Sequence, residues 1–397
     1  MRPVLSGLPR TYWILWTGAL INRLGGFVLP LLALYLTGER GLSVERAGFC
    51  VALLGAGSLC AGPLGGWLAD RIGRRPTLVL ALVLGSASML QLAYARAPAH
   101  IAFAAFLLGL LGDLYRPAVS AAISDLVTGP DDRVRAFGLL YWAVNLGFAV
   151  AGTLGGLLAQ KGWMLLFWGD AVTTLCYAAV VYARIPETKP LVQNDDERLA
   201  LAVPLSDRPF VLFVLLTLLV AALFHQSFVT LPVDLRAHGV SPARYGALIA
   251  LNGVLIVILQ PFVATALRRF ARHRVLAAAA ALVGLGFGLT AFATTQLDYA
   301  GCIAVWTLGE ITMSGIGPSV VADLAPVHLR GAYQGVFQSS WGGAAMFAPI
   351  IGSLVMGAYG ARTLWIGCFF AGLCAAAGQL ALGSLRRAPN LAASDAL

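Results

Sequence analysis

Apolar residues run through this chain in long, nearly unbroken blocks, and short polar connections rich in Gly, Pro, Asp and Arg separate them. Twelve blocks are readable, near residues 12–35, 46–68, 76–95, 99–125, 135–159, 163–184, 209–232, 244–267, 275–294, 298–324, 332–358 and 363–384. A bilayer core about 30 Å thick is crossed by about 20 apolar residues in a helix, and each block reaches that length. The runs are too long for barrel strands, so they predict helices. The expected fold is an all-α membrane protein of twelve transmembrane helices.

The blocks repeat. "GLSVERAG" at Gly41–Gly48 matches "GVSPARYG" at Gly239–Gly246, a separation of about 198 residues that recurs elsewhere. Pro63 pairs with Pro261, Arg71 with Arg269, and Arg74 with Arg272. "LGD" ending at Asp113 matches "LGE" ending at Glu310, one residue out of step, and "SDL" at Ser124–Leu126 matches "ADL" at Ala322–Leu324. Two pseudo-symmetric six-helix halves follow, residues 1–185 and 209–397, the second ending in a short tail. They are joined by a central loop, 186–208, which is the longest charged connection and is expected to be cytoplasmic. Parallel six-helix halves are a transporter architecture with the substrate site near the midplane.

Composition sharpens this picture. Hydrophobic residues make up 59% of the 397 residues and charged ones 11%, against roughly 25% charged in soluble domains. The net charge of +9 raises the possibility of a nucleic-acid or acidic partner, but its distribution argues otherwise. With the N-terminus inside, most of the 27 Lys and Arg residues fall in cytoplasmic segments, including Arg71, Arg74, Arg75, Arg268, Arg269, Arg386 and Arg387. That is the positive-inside pattern, and it places both termini in the cytoplasm. The six cysteines all lie within spans, without CxxC spacing, and read as small core residues. No disulfide framework, metal site, cofactor motif or nucleophile cluster is present in the sequence, so no enzyme is expected. The first apolar run is too long for a signal peptide and is expected to remain as the first helix.

Between the second and third spans stands "GGWLADRIGRRP", Gly65–Pro76. Gly66, Leu68, Ala69, Asp70, Arg71, Gly73, Arg74 and Arg75 resemble, residue for residue, the signature loop of the major facilitator superfamily. The resemblance covers nearly the whole chain and lies closest to the drug:proton antiporter branch of LmrP- and MdtH-like multidrug exporters. "INRLGGFVLPLLALYL", "YWAVNLGFAVAGTLGG" and "GEITMSGIGPSVVADLAPVHLRGAYQG" carry it. It implies that Asp70 meets the N-terminal end of the eleventh helix, near Gly331, where the positive helix dipole favours an anion. It further implies that Arg74 pairs with Asp125. Together these form a cytoplasmic gate of Gly66, Asp70, Arg71, Gly73, Arg74 and Asp125. The second-half counterpart, "ATALRRFARHR", lacks the aspartate, so the latch is expected on one half. Two positions depart from the antiporter pattern: Gly152-Thr153 replaces its Gly-Pro, and Leu140 stands where LmrP-like chains can carry an acid.

Charges inside a bilayer are costly and mark functional positions. The mid-span set is Arg23, Asp113, Arg116, Asp170, His225 and Glu310. Asp113 and Arg116 share a helix face three residues apart. Either they neutralise one another, or Arg116 faces the substrate cavity. Arg23 has no acid on its own helix, and Asp113 and Glu310 are its natural partners. His225 is either a group titrating near neutral pH or a polar lining residue. Asp170 reads as a snorkelling or helix-pairing residue. Burial favours the protonated form of Glu310 and a nearby arginine its ionised form, so it suits a proton-coupling carboxylate, with Asp113 as its counterpart. A static ion pair and direct substrate contact are the other readings of Glu310. Asn22, Arg23, Arg116, Tyr141, Trp142, Asn145, His225, Gln226 and Trp306 are the candidate cavity residues, although aromatics at helical spacing also serve plain packing.

The expectation is therefore a monomeric transporter of a bacterial inner membrane, whose partners are a small-molecule substrate, protons and the lipid bilayer, with no nucleic acid. It exports amphiphilic molecules in exchange for protons. A facilitator or proton symporter for a peptide, sugar or organic anion is the alternative. A non-transporting sensor on the same fold is a third class.

Overall fold

The computed structural model describes residues 7–190, 202–240, 242–267 and 269–385. Arg268, Arg386 and Arg387, most of the central loop (191–201) and the C-terminal tail lie outside the described residues. The described residues form helices and connections, with no strand among them.

In chain order the helices are α1 (Arg10–Leu24), α2 (Val28–Leu34, continued by a π-helical turn Tyr35–Glu39), α3 (Val44–Ile72) and α4 (Arg74–Tyr94). Then follow α5 (Pro98–Asp113), α6 (Tyr115–Leu126), α7 (Pro130–Ala159), α8 (Trp163–Arg184) and the short α9 (Ala202–Ser206). The remainder are α10 (Arg208–Ala237), α11 (Pro242–Leu267), α12 (Arg272–Leu289), α13 (Gln296–Ser314), α14 (Ile316–Leu324), α15 (Arg330–Tyr359) and α16 (Ala361–Leu385).

Local chemistry sets their starts. The Ser43 side chain accepts from the Arg46 amide to open α3, and Asp207 accepts from the Phe210 amide at 3.1 Å to open α10. Pro98 and Pro130 stand in first turns, where a missing N–H costs nothing. Thr295 and Asp298 form a reciprocal capping box at the start of α13.

Ten helices among the described residues are long and apolar enough to cross a membrane. Two of the twelve predicted blocks are left over. The first block is not one helix: it breaks at Gly25–Phe27 into α1 and α2. The fourth breaks too, at Leu114, and still counts as a span; the tenth breaks at Gly315, and Glu310 with its neighbouring polar residues lowers its apolarity.

The chain divides into two compact units. The first comprises Met1–Pro204 together with Pro318–Gly343. It holds two buried apolar clusters: one around Tyr12, Leu15, Leu78, Ile123, Phe137 and Tyr177, the other around Val28, Leu36, Leu92, Ile101 and Phe167. The second comprises Leu205–Gly317 and Ala344–Leu397, with a core around Val283, Phe287, Tyr299, Trp306 and Trp365. Many large apolar side chains stay on the outside, among them Phe49, Phe103, Leu157, Leu215, Phe292 and Leu354, as a hydrocarbon solvent permits.

Candidate functional site: a capped helix, a polar cavity and a buried glutamate

The first constellation grows from the turn between α3 and α4. Gly73 adopts φ 107°, a conformation that side chains rarely take, and lets the chain reverse within one residue. Asp70, at the end of α3, is thereby aimed at α15. Its two carboxylate oxygens accept from the Gly331 amide at 2.9 Å and the Ala332 amide at 2.7 Å. These are orphan donors at a helix start, and an anion there also meets the helix dipole favourably. Gly66 makes the approach possible, since a Cβ on it would lie 2.2 Å from the Gly331 carbonyl oxygen.

Arg74, 1% exposed, stands 3.1 Å from Asp70 and 2.9 Å from Asp125. Arg330 then donates to Asp125 at 2.8 Å and to the Ser124 carbonyl at 3.1 Å. Buried charges require such pairing. Asp70, Arg74 and Asp125 are thus brought together, as the loop motif implies, while Arg71 lies over the Trp67 ring at 5.0 Å. Three participants escape a reading of the motif alone. Arg330 completes the network; Glu187 accepts from the Arg74 and Arg75 amides at 2.9 and 3.1 Å; Arg133 pairs with Asp323 at 2.8 Å. Glu187 lies in the charged central loop, where one acid does not stand out from its neighbours.

The second constellation lines a cavity of about 90 Å³ inside the first unit. Asn22, Arg23, Asp113, Tyr115, Asp170 and Thr174 supply its polar wall. Arg116 binds Asp113 at 2.7 Å along one helix face. Arg23 donates to the Tyr115 hydroxyl, with its guanidinium 5.8 Å from the ring centre. Asp170 of α8, which the sequence offers as a snorkelling or helix-pairing residue, lines the same cavity as Arg23. Asp170 is 6% exposed on this wall beside Thr174, to which Asn22 donates at 2.7 Å. Trp142 stacks on Trp16, centroids 5.9 Å apart, and Asn145 donates to the Tyr141 carbonyl of its own helix.

The third constellation belongs to the second unit. Glu310, 4% exposed, accepts from Asn252 of α11 at 2.7 Å, and the same amide reaches Thr307 at 3.0 Å. Asn252 is not among the residues expected from the sequence; a lone amide in the middle of an apolar block is the signal that points to it. Trp306, one turn before Glu310, is 2% exposed, stacked on Phe287 and edge-on to Phe224, so it is part of the packed core. Gln226 donates to the Ala348 carbonyl at 2.9 Å and accepts from Thr230, tying α10 to α15. His225 lies beside Phe224 and Phe228. Asp234, near the end of α10, is a buried hub that accepts from Tyr299 at 2.9 Å and Trp365 at 3.1 Å.

Twin stretches of the chain, residues 15–233 and 227–395, match the Major Facilitator Superfamily model, so the chain belongs to that superfamily of membrane transporters. It is 27% identical over 325 residues to the multidrug resistance protein MdtH of Aeromonas salmonicida, covering 81% of this chain and 82% of that one. It is 26% identical over 359 residues to a Na⁺, Li⁺, K⁺/H⁺ antiporter of Planococcus maritimus, covering 81% and 84%. Among solved structures it is similar to a bacterial homologue of the iron transporter ferroportin in its outward-facing state. There the TM-score is 0.80 at 19% identity, with 95% of this chain and all of that one covered. The chain is a transporter and not an enzyme.

Proposed function

We propose that this transporter exports amphiphilic small molecules in exchange for protons, from a bacterial inner membrane, as a monomer with both termini in the cytoplasm. The observation that carries the reading is Glu310. It is a carboxylate 4% exposed, toward the C-terminal end of α13, bonded by the neutral amide of Asn252 at 2.7 Å. A carboxamide carries a donor and an acceptor side by side, so it serves the ionised acid as donor and the protonated acid as acceptor. That is what a group loading and unloading a proton requires. The similarity to a multidrug resistance protein and to a cation/proton antiporter supports the same reading. In this reading the two halves rock about a midplane site. The Asp70 cap on α15, with Arg74 and Asp125, latches the cytoplasmic side and must open in each cycle.

A test uses reconstituted vesicles loaded with a fluorescent lipophilic cation. The native chain is expected to move it when a pH gradient is applied. Glu310→Gln is expected to abolish gradient-driven movement while retaining substrate counterflow. Unchanged gradient-driven movement in the variant removes Glu310 from coupling.

Arg23 favours a second reading. Its guanidinium lines the cavity of the first unit, which suits an organic anion or another polar metabolite carried by a facilitator or symporter. Uptake of an anionic dye in place of the cation, with Arg23→Gln inactive, selects that reading.

A further inference from the structure

The turn between α3 and α4 leaves the second helix unable to cap itself. The backbone at Gly73, φ 107°, calls for glycine, and glycine has no side chain to offer α4. The first turn of α4 holds no acid. It opens instead on Arg74 and Arg75, two cations at the positive end of the helix dipole. The first bond within the helix runs from the Thr77 amide to the Gly73 carbonyl at 3.3 Å. Pro76 has no N–H. The amides of Arg74 and Arg75 are therefore open donors that no residue of α4 can serve.

Glu187, at the start of the central loop, takes both. One carboxylate oxygen accepts from the Arg74 amide at 2.9 Å, the other from the Arg75 amide at 3.1 Å. The first also accepts from the Lys189 amide at 2.7 Å, which folds the loop back on itself. Lys189 Nζ then donates to the Arg71 carbonyl, at the end of α3, at 2.7 Å. An acid and a base two residues apart thus meet the start of one helix and the end of the other, each with the sign the dipole favours. This seat is anchored on several sides. Ile185, 3% exposed, fixes the start of the loop in the core of the first unit. Arg75 donates to the Tyr182 carbonyl in the last turn of α8 and lies over that ring at 5.0 Å. A Cβ on Gly73 would stand 2.4 Å from a Glu187 oxygen, so the glycine also makes room for the acid.

We propose that Glu187 is a positioning residue of the cytoplasmic gate: seated on the start of α4, it fixes the α3–α4 turn in the form from which Asp70 reaches α15. The proposal rests on the gate reading above. The link between the two carboxylates is Arg74. Glu187 holds its backbone, and its side chain stands 3.1 Å from Asp70 and 2.9 Å from Asp125. Asp70 in turn caps the Gly331 and Ala332 amides. Among the described residues no hydrogen bond or ion pair joins Glu187 to Asp70 or to α15, so its influence passes through the turn. The loop that carries Glu187 also joins the two six-helix halves in sequence, so a pull on the loop reaches the gate.

The test uses the full chain, stripped of its six native cysteines and carrying Ser339→Cys. The native Ser339 hydroxyl reaches the Leu59 carbonyl at 3.3 Å, so reaction at position 339 with a membrane-permeant maleimide reports release of α15 from α3. Glu187→Ala is expected to raise that rate roughly fivefold, the population change that a helix cap of ordinary worth sets. Glu187→Gln keeps one carbonyl oxygen as acceptor and is expected to fall between. Asp70→Asn alone is expected to raise the rate as well. Glu187→Ala added to Asp70→Asn is expected to raise it no further, because the one acts through the other. A general loosening of the fold would instead multiply the two effects. A native rate in Glu187→Ala, or multiplied rates in the double variant, overturns the proposal. A native rate in Asp70→Asn removes the gate reading itself; if Glu187→Ala then still reacts faster, it acts by a route other than Asp70, and the positioning role falls too. Should Glu187→Ala fail to fold, Glu187→Gln carries the same comparison with Asp70→Asn.

Discussion

Asp70 and Arg74 are buried charges whose value lies in their partners. Arg74 is 1% exposed between Asp70 and Asp125, so Arg74→Ala leaves two buried carboxylates short of a cation. Breaking a buried pair from one side costs about 3–5 kcal/mol, so thermal unfolding of the purified variant is expected well below the native chain. Arg74→Lys, which keeps the charge and loses the fork that reaches both acids, is expected to fall between them. The Glu310 site makes a different prediction. Asn252→Leu removes a donor from a buried acid without adding charge. Gradient-driven transport is expected to fall roughly tenfold or more, as loss of a hydrogen bond to a charged group costs about 1.5–3 kcal/mol; counterflow is expected to persist. Fully coupled transport in Asn252→Leu would count against any role for that bond. At this scale the motif loop was legible because spacing within one short stretch defines it. Asn252 and Arg330 were not, because each meets its acid across a long separation in the chain. Asp170 is visible as a mid-span charge, but its place beside Arg23 and Asn22 on one cavity wall brings α8 against α1, which no local spacing discloses.

At the scale of the element, apolar windows located the blocks but could not see where they break. A window sums hydropathy, and the joint at Gly25–Phe27 is as apolar as its flanks. What marks it is the pair of glycines together with a bulky neighbour on α8. A Cβ on Gly25 would stand 2.1 Å from the Thr173 hydroxyl oxygen, closer than any real contact. Gly25→Ala is therefore expected to destabilise by roughly 1–3 kcal/mol, the usual cost of overpacking. Gly48→Ala, where a Cβ meets nothing within 4 Å, is expected to be neutral or slightly stabilising, since alanine favours the helix. Melting temperatures of the two purified variants compare them directly, and equal losses would refute the packing argument. The prolines at 63, 232, 261 and 349 sit inside helices without ending them. Membrane helices tolerate this because neighbouring groups take up the freed carbonyls.

Across the whole molecule, the internal repeat has a structural echo that single motifs do not disclose. Asp125 and Asp323 are equivalent in the repeat, and Arg133 and Arg330 follow them eight and seven residues on. The structure joins them crosswise: Arg330 to Asp125 at 2.8 Å, and Arg133 to Asp323 at 2.8 Å. Each pair takes its acid from one repeat and its arginine from the other, and all four residues lie in the first compact unit because Pro318–Gly343 belongs to it. The Asp70 cap has no such twin, since the second repeat lacks the aspartate. If the cap and these ion pairs latch the start of α15, weakening them frees that segment without disturbing its own helix. Ser339 is a suitable reporter, because its hydroxyl reaches the Leu59 carbonyl at 3.3 Å on α3. In a chain stripped of its native cysteines, Ser339→Cys is expected to react slowly with a membrane-permeant maleimide. Adding Asp70→Asn and Asp125→Asn is expected to raise that rate several-fold, while the same changes leave a cysteine at exposed Thr363 unaffected. An unaltered rate at position 339 would mean that these carboxylates hold α15 in place without governing when it leaves, and the latch would have to be sought in the close backbone approach of Gly62 and Gly66 to Gly331 and Gly335.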